Sequence, residues 1–390
     1  MRKVLLIIIS LINFHLKAQW VEQSSGTTNG LSSVFFVDSL NGYSVGSSGT
    51  ILKTTNSGNV WISVSYSTPF DINSVYFNNK DTGFAVGGNG IILKTIDGGV
   101  NWNLRPSGTT GGLHSVYFID ADTGYVAGDA GLILKTINKG INWQVQTTGT
   151  TNALTSVFFT SNLTGYAVSI GSRILKTING GLSWNVQFSG IGQILYSVHF
   201  ADLNNGYIVG DNGTILKTID AGNNWINLNS GTTETLYSVF TLDSSNIFIV
   251  GSNVSSLILK TTDGGMNWNF QSNTSNQPFY SVYFANTYNG YAVGYNGTIV
   301  KTLNGLGINE SEMANGISVY PNPASSIFTV STEGEKIKEL RIMNVLGEEV
   351  LKEVINDYTA TIDVSSLAKG IYFLQVQTEK GIRSKKLIKE

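Results

Sequence analysis

The chain carries seven tryptophans, Trp20, Trp61, Trp102, Trp143, Trp184, Trp225 and Trp268, separated by 41 residues five times and by 43 once. So regular a spacing is an internal repeat, and it restricts the fold to architectures in which one supersecondary unit is copied and stacked. A Ser-Val pair stands thirteen residues after every Trp, from Ser33-Val34 to Ser281-Val282, so the register holds through all copies. Each unit reads as an L-x-S-V-x-F strand, a turn, a G-Y-x-V-G strand, a second turn, a T-I-L-K-T strand and a last strand opening with Trp. Four such strands expose apolar side chains on both sheet faces, which neighbouring units set around an axis would cover. The expected fold is all-β, a seven-bladed β-propeller.

The ends of the array carry a further expectation. The seventh copy runs from Tyr280 through Lys301-Thr302, but Asn309 stands where the next Trp would fall, while Trp20 to Gln23 is a spare outer strand. The N-terminal strand is therefore expected to complete the last blade and remove the two edges of an open array.

Before each Trp lies a turn such as Thr95-Ile96-Asp97-Gly98-Gly99-Val100-Asn101-Trp102, the Asp-box pattern. Asn56, Asp97, Asn138, Asn179, Asp220 and Asp263 share one position in it, where a side-chain oxygen can accept backbone N–H groups of the turn. Asn replaces Asp in half of these copies, so the position reads as a structural lock, and no metal or cofactor is expected. The repeats resemble bacterial-neuraminidase-type Asp-box repeats, specifically those of photosystem II stability and assembly factor-like propellers, over residues 19–307. Such blades also occur in sialidases and xyloglucanases, so the resemblance implies the fold and not an activity.

After Gly307 the repeat stops and the composition changes, with 20 charged residues in residues 313–390 against 27 in the preceding 294. Residues 308–316 read as a linker and 317–390 as a small β-domain with Pro and Gly turns. Val319-Tyr320-Pro321-Asn322-Pro323-Ala324, the run Ile342 to Val350, the run Asp363 to Phe373 and the basic tail Lys385, Lys386 and Lys389 together closely resemble the type A C-terminal sorting domain of the Bacteroidetes type IX secretion system. That resemblance implies an immunoglobulin-like sandwich, the secretion machinery as a partner, and a protein released or attached at the outer cell surface. At the other end, Arg2 and Lys3 precede an apolar run to Leu16 and a small Ala18, so residues 1–18 read as a signal peptide. No segment approaches the roughly 20 apolar residues of a membrane span.

Several function classes fall away on composition. There is no cysteine, hence no disulfide, thiolate site or Cys nucleophile. A formal charge of −2 offers no field for nucleic acid. Lys53, Lys94, Lys135, Lys176, Lys217, Lys260 and Lys301 recur once per blade and read as blade-edge residues with buried stems and solvated heads. Resemblance to a sialidase would require three convergent arginines, and the array has only Arg105 and Arg173. A glycan-degrading hydrolase would need a carboxylate pair, for which Asp129 and Asp211, in the same turn of blades three and five, are the candidates. His114 and His199 form no metal cluster and read as packing substitutions.

A binding surface is the preferred reading: a secreted, non-enzymatic, monomeric propeller that takes a protein or glycan ligand. The position before each Ser-Val pair is Ser32, Asn73, His114, Thr155, Tyr196, Tyr237 and Tyr280, so three tyrosines fall on consecutive blades. Aromatic faces with hydroxyl tips suit sugars or peptide side chains. Arg173, Asp211 and Tyr295 depart from the repeat on the same face and are the expected polar contacts.

Overall fold

A computed structural model describes residues 19–252, 255–302, 317–332, 334–344, 348–379 and 381–390, with the side chains of 381–384 excepted; the proposed signal peptide and linker lie outside the described residues. Residues 19–302 form seven four-stranded antiparallel sheets. The first blade is typical, with Leu31–Phe36 innermost, then Gly42–Gly46, Ile51–Thr54 and the short outer strand Ile62–Ser63. The seventh holds Phe279–Phe284, Gly290–Gly294 and Ile299–Thr302, and its outer strand is Val21–Gln23 from the N-terminus, in the register Val21 to Lys301 and Gln23 to Ile299. The closure expected from the spare Trp strand is thus what the chain adopts. Trp20 is 1% exposed and packs edge-on against Phe284 at 5.8 Å, as Trp61 does against Phe36 at 5.9 Å in the first blade.

Three circuits of contacts run from blade to blade. The innermost strand of a propeller has a free edge toward the axis, and its N–H groups need acceptors. The Ser of each Ser-Val pair supplies one: Val75 N–H donates to Ser33 Oγ at 3.4 Å, and the series continues through Val116, Val157, Val198, Val239 and Val282 until Val34 donates to Ser281 at 3.3 Å. One residue further on from each Val, Phe35, Tyr76, Tyr117, Phe158, His199, Phe240 and Tyr283 form a closed ring of aromatic contacts with centroid steps of 4.7 to 5.4 Å. His199 belongs to this ring. Its Nδ1 accepts the N–H of Thr241, and burial lowers its pKa to about 4, so it is a neutral packing residue.

The third circuit corrects the reading of the lysines. The heads of Lys53, Lys94, Lys135, Lys217 and Lys301 are held by turn carbonyls of the neighbouring blade. Lys53 Nζ and Tyr43 Oη both donate to Gly98 O, in the Asp-box turn of the next blade, at 2.7 Å. Lys135 and Tyr125 do the same to Gly180 O, Lys217 and Tyr207 to Gly264 O, and Lys301 and Tyr291 to Ser57 O across the closure. Lys94 reaches Lys139 O, and Lys176 reaches Asn223 Oδ1. A turn carbonyl buried between blades needs donors, and a cation gives the stronger hydrogen bond.

The Asp boxes hold the turns that these lysines grip. Asp97 Oδ1 accepts the Asn101 N–H at 2.9 Å and the Thr95 hydroxyl at 2.8 Å, while Thr95 Oγ1 accepts the Gly99 N–H at 2.9 Å. Asn56, Asn138, Asn179, Asp220 and Asp263 repeat the first of these contacts. The oxygen does the work, so Asn serves as well as Asp.

Residues 317–390 build a separate core. A three-stranded sheet, Ile317–Tyr320, Ile327–Thr332 and Thr359–Asp363, and a four-stranded sheet ordered Glu349–Asp357, Ile337–Asn344, Gly370–Thr378, Gly381–Lys389 enclose Phe328, Val330, Leu340, Ile342, Leu374 and Val376. No helix among the described residues is long and apolar enough to cross a membrane.

Two tests follow from this architecture. Trp20→Ala is expected to cost about 3–5 kcal/mol through cavity formation, and deletion of residues 19–25 to cost more; an unchanged urea or thermal transition would contradict the closure. The Asp97, Asp220 and Asp263 carboxyls are held at about 2, below the ordinary 3.8, first by the N–H groups of Asn101, Asn224 and Asn267. The unfolded chain binds these protons more readily, so their contribution is complete above about pH 4 and disappears as the pH falls through about 2. Melting temperatures measured across that window should fall less steeply in the triple variant Asp97→Asn, Asp220→Asn, Asp263→Asn than in the parent chain.

Candidate functional site

In an antiparallel blade, alternate connections share an end. The Asp-box turns lie with the turns between first and second strands, to which they are tied by bonds such as Gly98 N–H to Asp81 O at 2.8 Å. The opposite face carries the turns between second and third strands and the connections into each inner strand, tied by bonds such as Asp129 N–H to Gly112 O and Asp211 N–H to Ile194 O. Every candidate binding residue belongs to this opposite face.

Each inner strand has a register shift at its second residue, between Leu31 and Ser33 in blade one and at the matching place in the other six. A bulge leaves one residue outside the ladder and re-aims its side chain. That residue is the position before the Ser-Val pair. In blades two and four it serves the fold: Asn73 Nδ2 donates to Leu113 O at 2.8 Å, and Thr155 Oγ1 donates to Leu195 O at 2.7 Å, each in the following blade. In blades five to seven it holds rings. Tyr196 and Tyr237 meet at 5.1 Å with planes 60° apart, and Tyr237 and Tyr280 meet at 5.4 Å and 83°. The arc expected from the sequence is therefore contiguous.

Its polar surroundings are unequal. Asp211 Oδ1 accepts the Thr235 hydroxyl at 2.9 Å, and the carboxylate lies near Tyr196. Burial first, and then the Asp211 charge, push the Tyr196 phenol up to about 12. Tyr295, 56% exposed, lies near enough to Tyr280 to add to the burial that raises its pKa. Glu234, not singled out from the sequence, stands beside this group, where its carboxylate accepts the Ser252 hydroxyl at 3.1 Å. A signal was there to read: the loop that is Thr109-Thr110-Gly111-Gly112 in one blade and Thr150-Thr151-Asn152-Ala153 in another is Thr232-Thr233-Glu234-Thr235 here.

The remaining candidates lie elsewhere on the face. His114 Nε2 and Asp129 Oδ1 are 2.8 Å apart, and Asp129 Oδ2 accepts the Gly112 N–H at 2.7 Å. His114 first, with Gly112, holds the Asp129 carboxyl below the ordinary range. Arg173 does not join the tyrosines. Its guanidinium lies 5.4 Å from the Phe188 ring, and it lines a groove of about 910 Å³ between blades three and four with Asp129, Asn152, Val145 and Val186. Asp129 and Asp211 are thus engaged by separate partners in separate blades. Among the described residues no three His, Cys, Asp or Glu side chains gather as a metal site.

Fold and surface together define a closed propeller of Asp-box repeats joined to an export domain. Overlapping matches to the Photosynthesis system II assembly factor YCF48 family span residues 12–104, 59–150, 136–231 and 184–270, and the chain belongs to that family of repeat propellers. Residues 318–390 match the Secretion system C-terminal sorting domain, which directs the protein by type IX secretion to the cell surface or the extracellular space. No curated protein sequence matches the chain. Among solved structures, "YCF48 bound to D1 peptide" is similar with a TM-score of 0.64 at 21% identity, covering 73% of this chain and 97% of that one. YCF48 from Cyanidioschyzon merolae gives 0.63 at 19%, covering 73% and 98%. The GH74 enzyme of Niastella koreensis gives 0.62 at 14%, covering 80% of this chain and 59% of its own. These likenesses concern the fold.

One expectation concerns the histidine. His114→Ala removes the first cause of the depressed Asp129 pKa, so the Asp129 carboxyl should titrate closer to 3.8 when followed by carboxyl carbon NMR; an unmoved titration would mean that the Gly112 N–H alone sets it.

Proposed function

We propose that the protein is an exported, non-catalytic binding protein whose ligand docks on the face opposite the Asp boxes, at the mouth of the central channel. The observation that carries this reading is the tyrosine arc. Blades two and four use the bulge position to bind a neighbouring carbonyl, whereas blades five to seven spend it on three rings in mutual contact. Rings held by packing and tipped with hydroxyls offer contact area at small conformational cost. A relative of the same fold was solved with a peptide bound, which agrees with a ligand-holding role for such a propeller.

The hydrolase reading fares worse on chemistry. A general acid needs a carboxyl whose pKa is raised, and the neighbours of Asp129 lower it. Asp211, in another blade, accepts the Thr235 hydroxyl.

The test is to immobilise the mature chain and expose it to a panel of polysaccharides and of purified surface and secreted proteins. The expected result is a ligand retained without turnover and lost at least about tenfold in affinity in Tyr237→Ala, Tyr280→Ala. Polysaccharide cleavage that disappears in Asp129→Asn or Asp211→Asn would overturn the proposal.

A further inference from the structure

The mouth of blades five to seven has a chemistry that selects among ligands. Tyr196, Tyr237 and Tyr280 are half-buried and make an unbroken run of tilted and edge-on ring contacts, and Tyr295 adds an exposed ring next to Tyr280. Two carboxylates border the run. Asp211 accepts the Thr235 hydroxyl and its charge acts on Tyr196, and Glu234 precedes Thr235 in the chain. The fields of both reach the Tyr237 hydroxyl. The described connections of this face in blades five to seven, residues 188–195, 210–214, 228–236, 251–252, 255–256, 271–279 and 294–298, contain no Lys, Arg or His. Of the repeat lysines in these blades, Lys217 and Lys301 hold turn carbonyls at the other end, and Lys260 is buried with its head 5.4 Å from the Phe248 ring. Arg173 is stacked on Phe188 at the groove between blades three and four.

Electron-rich ring faces beside carboxylates, with no resident cation, are complementary to a positive charge. A neutral sugar would also stack on tyrosine rings and donate hydroxyls to the carboxylates, but it brings no charge to neutralise them, which a cation does. Resting on the reading of this mouth as the ligand face, we propose that its ligand is a basic peptide segment whose Arg or Lys side chains lie over the tyrosine arc with Asp211 and Glu234 as counter-charges. An extended peptide sets its same-face side chains about 7 Å apart. The three rings, in steps of 5.1 and 5.4 Å, can therefore receive two of them. Arg is favoured over Lys, because its planar guanidinium stacks on a ring and pairs with a carboxylate at once.

The test uses the mature full chain and three fluorescein-labelled peptides, Gly-Arg-Gly-Arg-Gly, the same with Lys and the same with Gln, followed by fluorescence anisotropy at low and moderate salt. The Arg peptide is expected to bind at least about tenfold more tightly than the Gln peptide, and to weaken with salt. Tyr237→Ala should reduce binding about tenfold, Tyr237→Phe should retain it because the ring face remains, and Asp211→Asn should weaken binding and flatten the salt dependence. Melting curves of each variant separate loss of the site from loss of the fold. Equal binding of Arg and Gln peptides, no binding of any, or Arg-peptide binding that survives Tyr237→Ala would overturn the inference. A neutral oligosaccharide bound through the tyrosines, with no preference for cations, would overturn it while leaving the mouth as the ligand face.

Discussion

Everything in the propeller depends on one requirement: a four-stranded blade cannot satisfy itself, so each blade has to be completed by the next. Its two faces are apolar, its inner strand has a free edge, and its Asp-box turn carries a buried carbonyl. The chain meets all three needs with contacts that step one blade at a time, and the serine and aromatic circuits close completely. Val34 to Ser281, Phe35 to Tyr283, and Lys301 and Tyr291 to Ser57 are the closing steps, and they use the same residue types as the steps between covalently successive blades. Each neutral hydrogen bond contributes only about 1 kcal/mol net, but leaving such a group buried and unpaired costs about 1–3 kcal/mol. An open ring would leave several unpaired together. The N-terminal strand therefore finishes a circuit whose inner contacts already span the gap.

What could be read from the sequence follows from how local each interaction is. The Asp box and the Trp behind it act within about seven residues, so their pattern and purpose were both visible. The lysines were visible as a pattern and misread in purpose, because Lys53 acts on Gly98 in the next blade, 45 residues away, and that partner emerges only once the blades curve around an axis. The same holds for the Ser-Val serines. One exception in the repeat shows how tightly such contacts are coupled. In six blades a Phe ring lies over a Gly of the second strand, as Phe36 does over Gly42, where a Cβ would fall within 2.5 Å of the ring. In blade six the Phe is Thr241, and the paired position is Ile247 in place of Gly. Loss of the ring and gain of a side chain compensate each other in one space.

The candidate site was legible for a different reason. Ring closure needs the Ser and Val of every inner strand, whereas the bulge residue before them binds the next blade in blades two and four and holds a ring in blades five to seven, so this column varies more than its neighbours. Reading that column of the repeat was enough to find Tyr196, Tyr237 and Tyr280. It was not enough for Arg173, whose departure from the repeat looks the same in sequence but whose strand faces the neighbouring groove and whose charge is occupied by Phe188. Glu234 was passed over because loops rich in Thr, Asn and Gly make a single charged substitution easy to treat as solvated.

The sign of the proposed ligand face is a consequence of how the ring is held. One lysine in every blade would ordinarily give a propeller a positive surface, but here five of the seven repeat lysines are held at the Asp-box end by turn carbonyls, with rings beside them such as Tyr125 at 5.4 Å from Lys135. The interlock thus moves the positive charge of the repeat to one end of the barrel wall and conceals it there. What remains at the opposite mouth is set by the few residues that break the repeat, and on blades five to seven those are carboxylates and phenols. The symmetry-related residues hold the ring together, and the exceptions to symmetry determine what it can hold.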